Sequence, residues 1–173
     1  MTTHNSVCLD TSRYGVLSAL LLPERRIVQS GDASEEACGA PPPTKMIVVL
    51  DDKDHALKQV LFELPEEVDR NELVIRHFDT VESFRRADIG RPFIVFLDFF
   101  LSKDRVFGSD VIPELSCEHL VCFSSKREMS DHMRKLAGQR DRGRIGHVYS
   151  VRKLKEVIEN AELGEVLRTI FAE

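Results

Sequence analysis

Two hydrophobic runs in the chain end in bare carboxylates: Ile47–Leu50 runs into Asp51-Asp52, and Phe93–Leu97 runs into Asp98. Three carboxylates gathered at one sheet edge repel one another, so a divalent cation or a bound proton is expected among them. A third run, His119–Phe123, is followed by Ser124-Ser125, and a fourth, Ile145–Val151, by Arg152-Lys153. Acids after two runs, a hydroxyl after the third and a cation after the fourth are the parts of a phosphoryl-transfer site. A metal held by Asp51, Asp52 and Asp98 would neutralise phosphoryl oxygens, with Ser124 and a Lys or Arg taking the rest. Asp98 would be the nucleophile, since a carboxylate can carry a phosphoryl group as an acyl phosphate. Plainer roles compete. Asp51 or Asp52 can cap the helix that follows, one serine can cap the next, and Arg152-Lys153 can be a solvated helix start. Asp98 fits no such role, because Leu97 and Phe99-Phe100 flank it and a carboxylate among apolar neighbours needs a charge partner or a proton.

Short β-branched or aromatic runs bounded by turn residues read as strands buried on both faces, the habit of parallel sheets. Strands are expected at Met46–Leu50, Leu73–His77, Phe93–Leu97, His119–Phe123 and Ile145–Val151. Between them lie helical patterns. His55–Leu64 carries Ala56, Leu57, Val60, Leu61 and Leu64 on one face and stops at Pro65. Val81–Ala87 follows Thr80, a natural cap. A very short helix containing Pro113 fits between Gly108 and Cys117. Ser125 and Glu128 have capping-box spacing ahead of a helix with Met129, His132, Met133 and Leu136, which Gly138 ends. Leu154–Phe171 closes the series, its apolar stripe interrupted near Gly164. This alternation predicts an α/β fold with a doubly wound, five-stranded parallel sheet and helices on both faces. In such sheets ligands bind outside the carboxyl ends of the strands, where the acids lie.

Residues 1–44 differ from the rest. Gly31–Thr44 mixes small, acidic and proline residues and reads as a linker. Before it, Tyr14–Val28 carries Val16, Leu17, Leu20, Leu21, Leu22 and Ile27, enough for one short helix or hairpin or else a disordered extension. The expected organisation is therefore an extension over 1–44 and one domain over 45–173. Val16–Leu22 is too short and too poorly flanked for a signal peptide, and no run approaches the length of a membrane span. A formal net charge of −5 argues against a dedicated nucleic-acid binder, although Lys135–Arg144 is locally basic. Cys8, Cys38, Cys117 and Cys122 show no metal-type pairing, and reduced thiols in a cytoplasmic protein are expected. His55, His77, His119 and His132 have no metal-ligand spacing in the sequence.

From Lys45 to Glu173 the ordered set resembles the receiver domain of bacterial response regulators, a flavodoxin-like fold and the phosphoacceptor module of two-component signalling. Asp51-Asp52 match the family's acidic pair, Asp98 its phosphorylated aspartate, Gly108 the glycine after the following loop, and Ser124 its switch hydroxyl. Tyr149 followed by Ser150-Val151-Arg152 resembles the stretch bearing the aromatic switch residue and then the invariant lysine. The lysine position falls on Arg152 by the best local match, on Lys153 with a one-residue slip, or on Ser150 if the match is anchored on Gly146. No proline follows it, and the loop from Asp98 to Gly108 has Ser102 where a proline is common.

The resemblance implies a Mg²⁺ (or Mn²⁺) ion held by Asp51, Asp52, Asp98 and the backbone carbonyl of Phe100, with phosphoryl transfer to Asp98. It implies a sensor histidine kinase or histidine phosphotransfer protein as donor, and output by contact with a downstream protein rather than with membrane or nucleic acid. A homodimer would use the face of helix 4, strand 5 and helix 5. Catalysis would extend at most to the protein's own phosphorylation and dephosphorylation. The alternative is a degenerate receiver that binds partners without being phosphorylated. A haloacid-dehalogenase-like phosphatase needs an acid two residues after the nucleophile, where this chain has Phe100.

Overall fold

Each of the five apolar runs expected between Met46 and Val151 becomes a strand, and the polar residues after it become the sheet's upper rim. The computed structural model describes residues 45–140, 143–155 and 158–173. The expected extension over 1–44, with Cys8, Cys38 and the Tyr14–Val28 stretch, lies outside the described residues, as do Asp141 and Arg142 of the basic segment.

In chain order the first elements are β1 (Lys45–Leu50), α1 (Asp54–Glu63), β2 (Leu73–Phe78), α2 (Val81–Arg86) and β3 (Ile94–Asp98). Two short strands follow, β4 (Phe100–Leu101) and β5 (Val106–Phe107), then α3 (Gly108–Val111). The last are β6 (Cys117–Ser124), α4 (Arg127–Arg140), β7 (Ile145–Arg152) and α5 (Ala161–Ala172). The five long strands are parallel and ordered β2-β1-β3-β6-β7. This is the doubly wound, flavodoxin-like arrangement expected, with its topological switch point between β1 and β3.

Strand alternation divides the core. Val48, Leu50, Val95, Leu97, Leu120 and Cys122 face one way, onto Val81, Phe84, Val111, Met133 and Ala137 of α2, α3 and α4. Ile47, Val49, Ile94, Phe96, Val121, Phe123 and Val151 face the other, onto Ala56 and Val60 of α1 and Leu163, Leu167 and Ile170 of α5. Burying a Val, Leu, Ile or Phe side chain contributes about 1.5–3 kcal/mol each, so these two layers hold the sheet rigid.

Several boundaries differ from the expectation. Lys53, not an aspartate, is the N-cap position of α1, and the first helix starts at Asp54. Thr80 does cap α2, its hydroxyl accepting from the Ser83 N–H at 3.1 Å. Pro113 tightens the end of α3 into a 3₁₀ turn over Ile112–Glu114. α4 begins at Arg127 and runs past Gly138 to Arg140. The final helix starts at Ala161 rather than Leu154, because Asn160 caps it, accepting from the Leu163 N–H at 3.3 Å. Among the described residues no helix is long and apolar enough to cross a membrane.

Candidate functional site

β1 and β3 are neighbours with Leu50 opposite Leu97, so Asp51 and Asp98 leave the sheet side by side. Both are buried, Asp52 is half-buried, and the three carboxylates offer oxygens within 4.8 Å of one another. The Asp51 Oδ1 accepts the Lys53 N–H at 2.9 Å, and His77 Nε2 lies 2.8 Å from the Asp51 carbonyl oxygen, fixing the turn.

The cation facing them is Lys153. Its Nζ sits 2.5 Å from Asp51 Oδ2 and 2.9 Å from Asp98 Oδ2, all three side chains nearly closed to solvent. Burial pushes the Asp98 carboxyl up to about 6; Lys153 pulls the other way and Asp51 adds to the rise. Burial also opposes the Lys153 ammonium, but the Asp98 and Asp51 carboxylates outweigh it and hold the lysine above its ordinary range.

Lys153 is held by its neighbours' backbone. Its own N–H donates to the Ser124 carbonyl at 2.7 Å. The fully buried Gln59 on α1 takes the Leu154 N–H at 3.3 Å and donates to the Leu154 carbonyl. Asn160 Nδ2 donates to the Arg152 carbonyl at 2.8 Å and to Gln59 Oε1 at 3.1 Å. A peptide bracketed on both sides leaves the lysine one register. Arg152, by contrast, is exposed, and its N–H faces Glu162 at 3.3 Å.

The same register decides which side chains of β7 face α4 and which face α5. Tyr149 and Val151 share the α5 face, and the Tyr149 ring lies 6.0 Å from that of His119, away from α4. Ser150 points the other way. Its hydroxyl is 2.6 Å from Asp131 Oδ1 and 3.1 Å from Ser130 Oγ, both on α4. The residue three before Lys153 is thus a serine bonded to α4, not the tyrosine. Ser124 is buried at the end of β6, its Oγ accepting weakly from the Lys126 N–H at 3.4 Å.

Beside Asp98 the chain forms the β4–β5 hairpin, within the stretch from Asp98 to Gly108 where a loop is expected. Phe100 opens it, two residues past Asp98, and Phe99 and Phe100 each pack on Phe107 with ring centroids 5.4 and 5.5 Å apart. Gly108 closes it. Its N–H donates to the Phe99 carbonyl at 2.7 Å, and a Cβ there would collide with the Asp98 carbonyl oxygen and lie 2.9 Å from Met133 Sδ. Ser102 donates its hydroxyl to Asp52 Oδ2, while the buried Asp52 Oδ1 has no partner among the described residues.

These donors fit a small hard cation. The set is all oxygen, it carries more negative charge than Lys153 balances, and one buried carboxylate oxygen is orphaned. Mg²⁺ or Mn²⁺ suits such donors; a soft or nitrogen-seeking metal does not. His77, Gln59, Asn160 and Ser102 carry no motif in the sequence, since each acts on the backbone or on another side chain rather than on a ligand.

No family model and no curated protein matches the chain. Among solved structures it is similar to a phosphorylated cyanobacterial phytochrome response regulator, RcpA, at 14% identity over 73% of this chain and 90% of that one, with a TM-score of 0.49. It is also similar to a response regulator from Thermotoga maritima, at 11% identity over 75% of this chain and 99% of that one, with a TM-score of 0.45. Similarity at this level carries no residue's role across to this chain.

Proposed function

We propose that the chain is a receiver-type phosphoacceptor of two-component signalling, taking a phosphoryl group on Asp98. The observation that carries this reading is the buried constellation of Asp51, Asp98 and Lys153 at the switch point of a parallel sheet, with Asp52 beside it. Asp51, Asp52 and Asp98, with the Phe100 carbonyl, would hold Mg²⁺ or Mn²⁺, which when bound would supply charge neutralisation for the phosphoryl oxygens. The Asp98 carboxylate attacks phosphorus in line, forming an O–P bond as the donor's bond to phosphorus breaks and the leaving group keeps the electron pair. A histidine side chain of a kinase or phosphotransfer protein is the donor expected. Lys153 then trades one carboxylate contact for a phosphoryl oxygen, and the Ser124 hydroxyl reaches another. Ser150, bonded to α4, rather than Tyr149, couples the β7 end of the site to a neighbouring helix. Output runs through protein contacts on the face of α4, β7 and α5, where a homodimer would also form.

Incubation with Mg²⁺ and acetyl phosphate or beryllofluoride tests this on the wild type and Asp98→Asn. The expected result is a Mg²⁺-dependent adduct in the wild type alone. No adduct at saturating donor overturns the phosphoacceptor and leaves the degenerate binding module.

A further inference from the structure

We propose that Ser102 is a positioning residue that makes Asp52 a one-oxygen ligand and so favours Mg²⁺ or Mn²⁺ over Ca²⁺ at the carboxylate cluster. The inference rests on the metal-binding part of the proposed function. The Ser102 hydroxyl donates to Asp52 Oδ2 from 50 residues further along the chain. The other oxygen, Asp52 Oδ1, is buried and has no partner among the described residues. Ser102 thus divides the carboxylate into one atom held by the protein and one left for an ion. The other two acids are held in the same way. Lys153 Nζ engages Oδ2 of both Asp51 and Asp98, at 2.5 and 2.9 Å, and Asp51 Oδ1 accepts the Lys53 N–H at 2.9 Å. The three acids offer oxygens within 4.8 Å of one another, and each already has at least one oxygen tied to a protein donor.

That arrangement discriminates between hard cations. Ca²⁺ collects many oxygens and often takes both from one carboxylate, whereas Mg²⁺ demands a compact octahedron, uses few carboxylates and keeps waters. A carboxylate with one oxygen committed to a hydroxyl serves the second kind of ion and is a poor chelator of the first. Lys153 restrains Asp51 and Asp98 too, but its removal would also change the charge of the site. Ser102 is neutral. Losing its hydroxyl frees the second Asp52 oxygen and leaves the net charge as it was.

Ser102 can restrain Asp52 because the turn that carries it is itself fixed. Leu101, just before it, is wholly buried. Lys103, just after it, places its Nζ 2.5 Å from Asp79 Oδ2, and Asp104 Oδ2 accepts the Val81 N–H at 2.6 Å. Arg105 adopts the left-handed conformation, with φ 55°, and its N–H donates to the Ser102 carbonyl at 3.3 Å, closing the turn. The Ser102 side chain is exposed, so replacing it leaves the core intact.

The test is a Mn²⁺ titration of the full chain read by electron paramagnetic resonance, then reversed with Mg²⁺ or with Ca²⁺, with no phosphodonor present. The wild type should bind Mn²⁺ and give it up to Mg²⁺ at lower concentration than to Ca²⁺. In Ser102→Ala, Ca²⁺ should gain about tenfold on Mg²⁺, the lower end of what groups behind a metal ligand contribute. Ser102→Thr keeps the hydroxyl and should keep the wild-type ratio, a rescue that a merely structural role does not require. Three results overturn the proposal: a wild type that favours Ca²⁺, a ratio unchanged in Ser102→Ala, or an equal shift in Ser102→Thr. A wild type that holds no Mn²⁺ at millimolar concentration overturns the metal site and this proposal with it. Mn²⁺ binding without an acetyl phosphate adduct overturns the phosphoacceptor alone.

Discussion

The two edges of one sheet handle buried charge in opposite ways. At the carboxyl edge, Asp51, Asp98 and Lys153 touch directly and are almost sealed from water. At the amino edge, His119, His147 and Glu173 stand apart around an open cavity, and two of the three side chains are solvated. Where charges are sealed, each group depends on its neighbour, so removing one leaves another uncompensated. Where they are open, water takes the place of a lost partner. Substitutions should thus cost most stability at the carboxyl edge and least at the amino edge.

The sharpest way to break this contrast is Lys153→Ala, which leaves Asp51 and Asp98 buried without their cation. A loss of about 3–5 kcal/mol in urea unfolding at pH 7.5 is expected, shrinking toward pH 5 as Asp98 takes a proton. An equal loss in Arg152→Ala would mean that the register of the site is wrong.

Asp98→Asn should act in the opposite sense. Because the folded carboxyl is raised from 3.8 to about 6, the native state binds the extra proton and the ionised form costs stability above that range. The variant should gain roughly 1–3 kcal/mol at pH 8, and the gain should fade between about pH 6 and 4 in thermal melts.

Ser150→Ala should cost about 1 kcal/mol through its lost hydrogen bonds to Asp131 and Ser130, with hydrogen exchange quickened at the start of α4. Tyr149→Phe should leave that exchange unchanged. Smallest of all, His147→Ala should shift urea unfolding by no more than about 0.5 kcal/mol, as for other open surface positions.

How much of this was legible depended on which forces set each feature. The sheet was readable because buried parallel strands need unbroken apolar runs, and Ile47–Leu50 and Phe93–Leu97 supply them between polar turns. Asp51 and Asp98 followed from where those runs stop. The cation's register was not readable, since Tyr149-to-Arg152 and Ser150-to-Lys153 have the same spacing. The choice is made by tertiary contacts, with Val151 buried against α5 and Gln59 and Asn160 gripping the peptides around Lys153. The hairpin inside residues 99–107 rests on aromatic packing between Phe99, Phe100 and Phe107 that no turn motif announces. His119 and His147 meet only through strand pairing, which no local spacing can reveal.

The grip on Lys153 has a consequence for the order in which the protein becomes competent. Asp51 and its counter-ion are separated by 102 residues, and the α1 glutamine that seats the following peptide is 95 residues from it. A chain still being synthesised carries its three acids long before the last strand emerges to answer them. Until β7 docks, those carboxylates stay hydrated and unassembled, so a half-made chain has the acids without the site. The buried acid–lysine cluster therefore exists only once the whole sheet is complete.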